Sequence, residues 1–452
     1  MAENARSSQA KKTDTSAVDL IRREERRRRR KRNQVFAYLT LILFVILIVA
    51  GVVAAVILIG KKQPVKQPDD NGSLAEEIDD LVGPEESLEK PDVPDTTVPE
   101  PTPEEQLDKI IDAAIEVMPL EDKVAGLFIV TPEAITGAGT AIQAGEGTKD
   151  ALNRWAVGGL IYFQKNIKSA EQLKEMISNT LLYSKYPLFI AVDEEGGQVS
   201  RLVQAGLAEN AGGAHAIGAT ADPAQAYQAG QEIAGYLGEY GFNLDFAPVA
   251  DINNVEGSVI GDRSYGSDST IVSSMVASMV QGLEENGVSS CLKHFPGIGS
   301  SVDDTHVGLA STERTAEQFR AEEFTVFQAG IEAGADFVMV SHMAATPFTG
   351  DNTPCTLSRE VVTDILREEL GFDGVIITDA MNMGAITEYY DADEAAILAL
   401  RAGCDMILMP EDFEKAYEGV LEAVRNGTIS EERINDALRR IYRIKYADKL
   451  TD

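Results

Sequence analysis

Apolar residues fall along this chain in two rhythms. From Leu107 onward, short unbroken apolar runs alternate with longer segments in which apolar positions recur every three or four residues. Short apolar runs bounded by turn residues read as strands buried on both faces, and the 3.6-period segments read as amphipathic helices. The pattern predicts strands near 124–130, 158–163, 188–192, 243–248, 290–294, 337–342, 374–378 and 406–409. Helices are predicted over 224–240, 270–285, 316–333, 358–370, 392–402, 413–425 and 431–446. Strands and helices interleaved in this way predict an α/β fold, a (β/α)8 barrel over residues 107–452 with added loops. A doubly wound open sheet is the rival. No Gly-x-Gly-x-x-Gly turn follows the first strand, which weakens its dinucleotide-binding form.

The first 106 residues follow neither rhythm. Val35 to Gly60 holds no charged residue and is mostly Leu, Ile, Val and Ala. It is long enough to cross a hydrocarbon core of about 30 Å and too long for a signal-peptide core, so it is predicted to be a transmembrane helix. Residues 1–34 carry 12 Lys+Arg against 5 Asp+Glu, with the basic run Arg26 to Arg32 next to the apolar span. Such a flank is expected to stay cytoplasmic and to put everything after Gly60 outside the cell membrane. Residues 61–106 are rich in Pro and acids and read as a disordered linker.

Charge then narrows the partners. The chain as a whole carries −33 at neutral pH, and the basic tail makes the remainder more acidic still. That excludes nucleic acid as the natural partner of the exported part; the lipid bilayer is met through residues 35–60. The cysteines Cys291, Cys355 and Cys404 are odd in number and show no metal-ligand spacing. They are expected to act as small buried hydrophobes, and no metal site is predicted.

Candidate chemistry concentrates at the predicted strand ends. Asp193 follows the third strand, Lys293 and His294 end the fifth, His342 the sixth, and Asp379 the seventh. In a barrel these ends share one mouth. Two of the four histidines fall within Lys293 to His306, where Asp304 stands two residues before His306. A carboxylate so placed can orient an imidazole and raise its basicity. Metal-assisted hydrolysis lacks a His-x-His pair or an HExxH helix, and acyl transfer lacks a Gly-x-Ser-x-Gly elbow. Glycosyl transfer needs a carboxylate nucleophile and a separate proton donor, roles that Asp379 and His306 can fill.

These residues carry a family resemblance. The segments Ala191 to Arg201, Asn243 to Asp251, Gly261 to Gly266, Lys293 to Gly299 with Asp304 to His306, and Ile377 to Met383 occur in order. Together they resemble glycoside hydrolase family 3, in particular its bacterial single-domain β-N-acetylglucosaminidases. The resemblance implies a retaining exo-acting hydrolase that removes terminal N-acetylglucosamine from peptidoglycan-derived or related oligosaccharides and needs no cofactor. It makes Asp379 the nucleophile and His306, partnered by Asp304, the acid/base. Asp193, Arg201, Arg263, Lys293 and His294 would bind the sugar. Two-domain members take their acid/base from a second domain; this chain ends at Asp452, so His306 is expected to serve instead.

Two positions depart from the family pattern: Ile298 stands where many relatives have histidine, and Glu194, where glutamine is common, is expected to add charge beside Asp193. Asp245 and Asp251 are expected to organise the barrel rim, and His342 divides evenly between a site role and a buried core role. A phosphorylase, or an enzyme for another sugar, stays open. The reading from another class is a non-catalytic, membrane-tethered wall-binding protein on a decayed barrel.

Overall fold

The structure is a computed structural model and describes residues 102–446 apart from Val307. The predicted basic tail, the span 35–60 and most of the linker lie outside the described residues. Among the described residues no helix is long and apolar enough to cross a membrane.

All eight predicted strands form. They are β1 Phe128–Val130, β2 Gly159–Ile161, β3 Phe189–Val192, β4 Leu244–Asp245, β5 Ser289–Phe295, β6 Phe337–Val340, β7 Val375–Thr378 and β8 Ile407–Leu408. Each pairs in parallel with the next in sequence from β1 to β7, and β8 pairs with β1 through Phe128–Ile407 and Ile129–Leu408. A parallel bridge between Ile377 and Met406 links β7 to β8 and completes the ring. The strands are mostly apolar and are buried on both faces because side chains fill the interior while helices cover the outside.

The helices follow the amphipathic rule. Phe413–Arg425 buries Phe413, Ala416, Tyr417, Val420 and Val424 on one face, and Asp412 caps it by accepting from the Lys415 amide. Pro223–Tyr240 and Ser269–Glu284 approach so closely that a Cβ on Gly230 would sit 2.7 Å from the Met279 carbonyl oxygen. Only glycine permits that crossing.

Three features of the helices differ from expectation. A helix begins at Pro103, inside the segment read as linker, because Thr102 and Glu105 form a reciprocal cap around a first-turn proline. Its Asp108 and Asp112 pair with Arg443 and Arg439 of the last helix, Glu431–Lys445. The helix predicted over 316–333 breaks at Glu322 into Ala316–Ala321 and Glu323–Glu332, which turns Glu323 into the protein. The segment Glu360–Glu369 winds as a π-helix.

Candidate active site

The strand ends converge as the pattern requires. A cavity of about 380 Å³ opens at the C-terminal mouth of the barrel. Asp193, Arg201, Arg263, Lys293, His294, Asp304, His306 and Asp379 all line it. Its apolar side includes Phe163, Ile298, Met339 and Met409.

One cluster of charges forms the polar wall. The Lys293 ammonium lies 2.8 Å from Asp193 Oδ1 and 2.7 Å from Glu195 Oε1. Arg263 grips both oxygens of Glu195, at 2.8 Å through Nε and 2.7 Å through Nη2. Arg201 Nη2 stands 3.7 Å from Asp193 Oδ2. Burial opposes the charge on Lys293, but Asp193 and Glu195 hold its ammonium above the usual lysine range. Burial likewise pushes Glu195 upward, and Lys293 and Arg263 overcome it, drawing the carboxyl down to about 2.

Lys293 and His294 are consecutive, and a regular strand would send them to opposite faces. Here Leu292 pairs with Val338 and Phe295 with Val340, so β5 spends three residues against two on β6. This bulge turns both side chains to the mouth. His294 Nδ1 donates to Asp251 Oδ2 at 2.8 Å, while Asp251 Oδ1 accepts from the Ile298 amide at 2.7 Å. Asp251 therefore fixes the ring and the start of the following loop. Asp245 accepts from the Glu194 amide at 2.9 Å. Both aspartates organise the rim, as expected.

Asp379 follows β7. Its Oδ1 accepts from the Ala380 amide at 2.7 Å. Burial works against its charge, yet His294, His342, that amide and Lys293 together keep the carboxyl below its usual range. It is an anion at neutral pH. His342 is buried and absent from the cavity lining; its Nε2 donates to the Ala380 carbonyl at 3.0 Å, and its Nδ1 meets the Thr356 hydroxyl at 2.9 Å. The even division thus resolves to a core histidine that steadies the residue after Asp379.

The His306 loop docks on the segment that follows Asp379, at Gly384 and Ala385. His306 Nδ1 donates to Asp304 Oδ1 at 2.8 Å, and the His306 amide donates to the same oxygen at 2.8 Å. These bonds, the backbone one first, lower the Asp304 carboxyl below its ordinary value. The loop is tied to the Asp379 segment by the Ala385 amide on Thr305 O at 3.2 Å and the Gly384 amide on His306 O at 3.3 Å. The imidazole is 70% exposed, with Nε2 left for a proton.

One reading needs correction, and one residue joins the site. Glu194 adds no charge beside Asp193: it is fully buried and absent from the cavity lining. Its carboxylate accepts instead from the Leu202 amide at 3.0 Å and the Tyr236 hydroxyl at 3.0 Å. Glu195, which is not among the candidate residues named from the sequence, is the hub of the polar wall. Strand alternation held the signal, since residues 193 and 195 share a face and 194 takes the other. The three cysteines are free and buried.

Comparison with known proteins agrees with this geometry. A family model described as the glycosyl hydrolase family 3 N terminal domain matches residues 119–444. A beta-hexosaminidase of Stenotrophomonas maltophilia (strain R551-3) is 35% identical over 294 residues, covering 63% of this chain and 85% of that protein. Beta-hexosaminidase A of Pseudoalteromonas piscicida is 30% identical over 327 residues, or 66% of this chain, and the match spans 54% of that relative's length. The solved structure of a glycoside hydrolase family 3 beta-N-acetylglucosaminidase from Paenibacillus sp. str. FPU-7 superposes with a TM-score of 0.69 at 33% identity. That match covers 74% of this chain and 64% of the other.

Proposed function

The chain belongs to glycosyl hydrolase family 3, and we propose that it is a retaining, exo-acting β-N-acetylglucosaminidase. The observation that carries this reading is the docking of the His306 loop on the segment after Asp379, with both side chains lining one cavity at the barrel mouth. In the first step the Asp379 carboxylate attacks the anomeric carbon. The bond to the leaving oxygen breaks as His306 Nε2 donates its proton to that oxygen. The imidazolium before transfer is stabilised by Asp304. In the second step neutral His306 takes a proton from water, the hydroxide oxygen bonds the anomeric carbon, and the Asp379 ester breaks. Two inversions give net retention.

An imidazole suits this place. A second carboxylate near Asp379 would resist ionising beside the first, whereas a histidine carries its proton without that conflict. The charged wall supplies hydrogen-bond donors from Lys293, Arg263 and Arg201 and acceptors from Asp193 and Glu195, a mixture that fits sugar hydroxyl and acetamido groups.

Peptidoglycan fragments are the proposed substrates, reached by a head tethered outside the membrane through residues 35–60. The activity is tested with 4-nitrophenyl β-N-acetylglucosaminide against the matching glucoside and xyloside. The expected result is turnover of the first at least a hundredfold above the others. Equal turnover of all three, or none, defeats the assignment. For the tether, full-length protein is expected in the membrane fraction and a chain lacking residues 1–101 in the soluble fraction.

A further inference from the structure

The loop that carries His306 runs from residue 296 to residue 315, long enough to need fixing at its base as well as its tip. One side chain outside the cavity meets that base on three sides. Glu323 is 1% exposed at the start of its helix, after the break at Glu322. Its Cγ packs on Gly297, where the loop departs: a Cβ on Gly297 would come within 2.7 Å of it, and the glycine holds φ +123°. Its Oε1 lies 2.9 Å from Arg314 Nε, where the loop returns. The same oxygen accepts from Asn254 Nδ2 at 3.0 Å, on the neighbouring loop after β4. Arg314 is held in turn by Glu322 at 2.6 Å.

We infer that Glu323 is a positioning residue for the acid/base: it staples departure, return and flanking loop, and so sets where His306 stands relative to Asp379. This rests on the proposed role of His306. Two buried oxygens at the staple, Glu323 Oε2 and Asn254 Oδ1, have no hydrogen-bond partner among the described residues. Burial, opposed by Arg314, lifts the Glu323 carboxyl to about 7. The carboxyl therefore carries a proton part of the time near neutrality. Glutamine imitates that neutral form and leucine does not.

The test separates positioning from folding by leaving-group demand. Protonation matters for an alcohol leaving group and little for an acidic phenol. Misplacing a catalytic group by about 1 Å can cost a hundredfold. Glu323→Leu is expected to lower kcat 10- to 100-fold on an N-acetylglucosamine disaccharide and less than threefold on the 2,4-dinitrophenyl glycoside. Glu323→Gln is expected to restore disaccharide kcat to within threefold of wild type. Equal losses on both substrates, no loss on either, or failure of glutamine to rescue overturns the inference. Should the leucine variant not fold, Asn254→Leu removes the staple from the other side and must give the same split. His306→Ala run alongside locates any failure: if its own loss ignores the leaving group, the acid/base reading falls, and if it keeps the split while the Glu323 variants lack it, the positioning role falls.

Discussion

Glu195→Gln removes the one anion shared by Lys293 and Arg263 and leaves two cations facing each other at the cavity wall. The Glu195 side chain is only 5% exposed, so solvent screens little of the loss. Its carboxyl sits at about 2 against an ordinary 4.5 because the two cations outweigh burial. At 1.36 kcal/mol per tenfold change in proton affinity, the difference is worth about 3 kcal/mol. Removing one partner of a buried pair costs a similar 3–5 kcal/mol. The sign follows from the depressed value. The contribution is full at neutral pH, begins to decline near the unfolded value of 4.5, and is lost as pH falls through about 2. Urea unfolding of wild type and variant at pH 7, 5 and 3 measures it. The expected gap is about 3 kcal/mol at pH 7 and about half that at pH 3. A gap unchanged between pH 7 and pH 3 would refute the reasoning, because a carboxylate–cation network must weaken with acid.

The remaining predictions concern the catalytic segments. His306→Ala should lose 10²- to 10⁴-fold in kcat on a disaccharide and far less on an activated aryl glycoside, read by steady-state kinetics. Asp379→Asn should abolish turnover of both, since it removes the attacking group, while leaving the melting temperature near that of wild type. Gly299→Ala should displace the His306 loop, because its Cβ would lie 2.1 Å from the backbone oxygen of Ile252; a disaccharide assay is expected to show at least a hundredfold loss.

The barrel was legible because its strands are buried on both faces and so appear as unbroken apolar runs, with Val375–Thr378 and Phe337–Val340 the plainest cases. The shared mouth followed from strand order alone. What periodicity could not supply was the side each polar residue takes. The β5 bulge sends Lys293 and His294 the same way although strand alternation separates them, and an extra residue against a neighbouring strand leaves no mark in one strand's own sequence. The opposite happened at 193–195. There the run alternates as a strand does, which puts Glu195 in the cavity and sends Glu194 to Tyr236. The break at Glu322 was invisible for a related reason: residues 316–333 keep helical periodicity on both sides of it, and tertiary contacts of Glu323 decide where the axis turns.

The central claim, that Asp379 bonds the sugar while His306 handles the proton, is tested most directly by trapping. His306→Ala protein should be mixed with the 2,4-dinitrophenyl N-acetylglucosaminide, quenched in acid, digested and weighed by mass spectrometry. The account predicts one N-acetylhexosaminyl adduct, confined to the peptide containing Asp379 and absent from an Asp379→Asn, His306→Ala double variant. An adduct on another residue, or a first-formed sugar of inverted configuration by proton NMR, contradicts it.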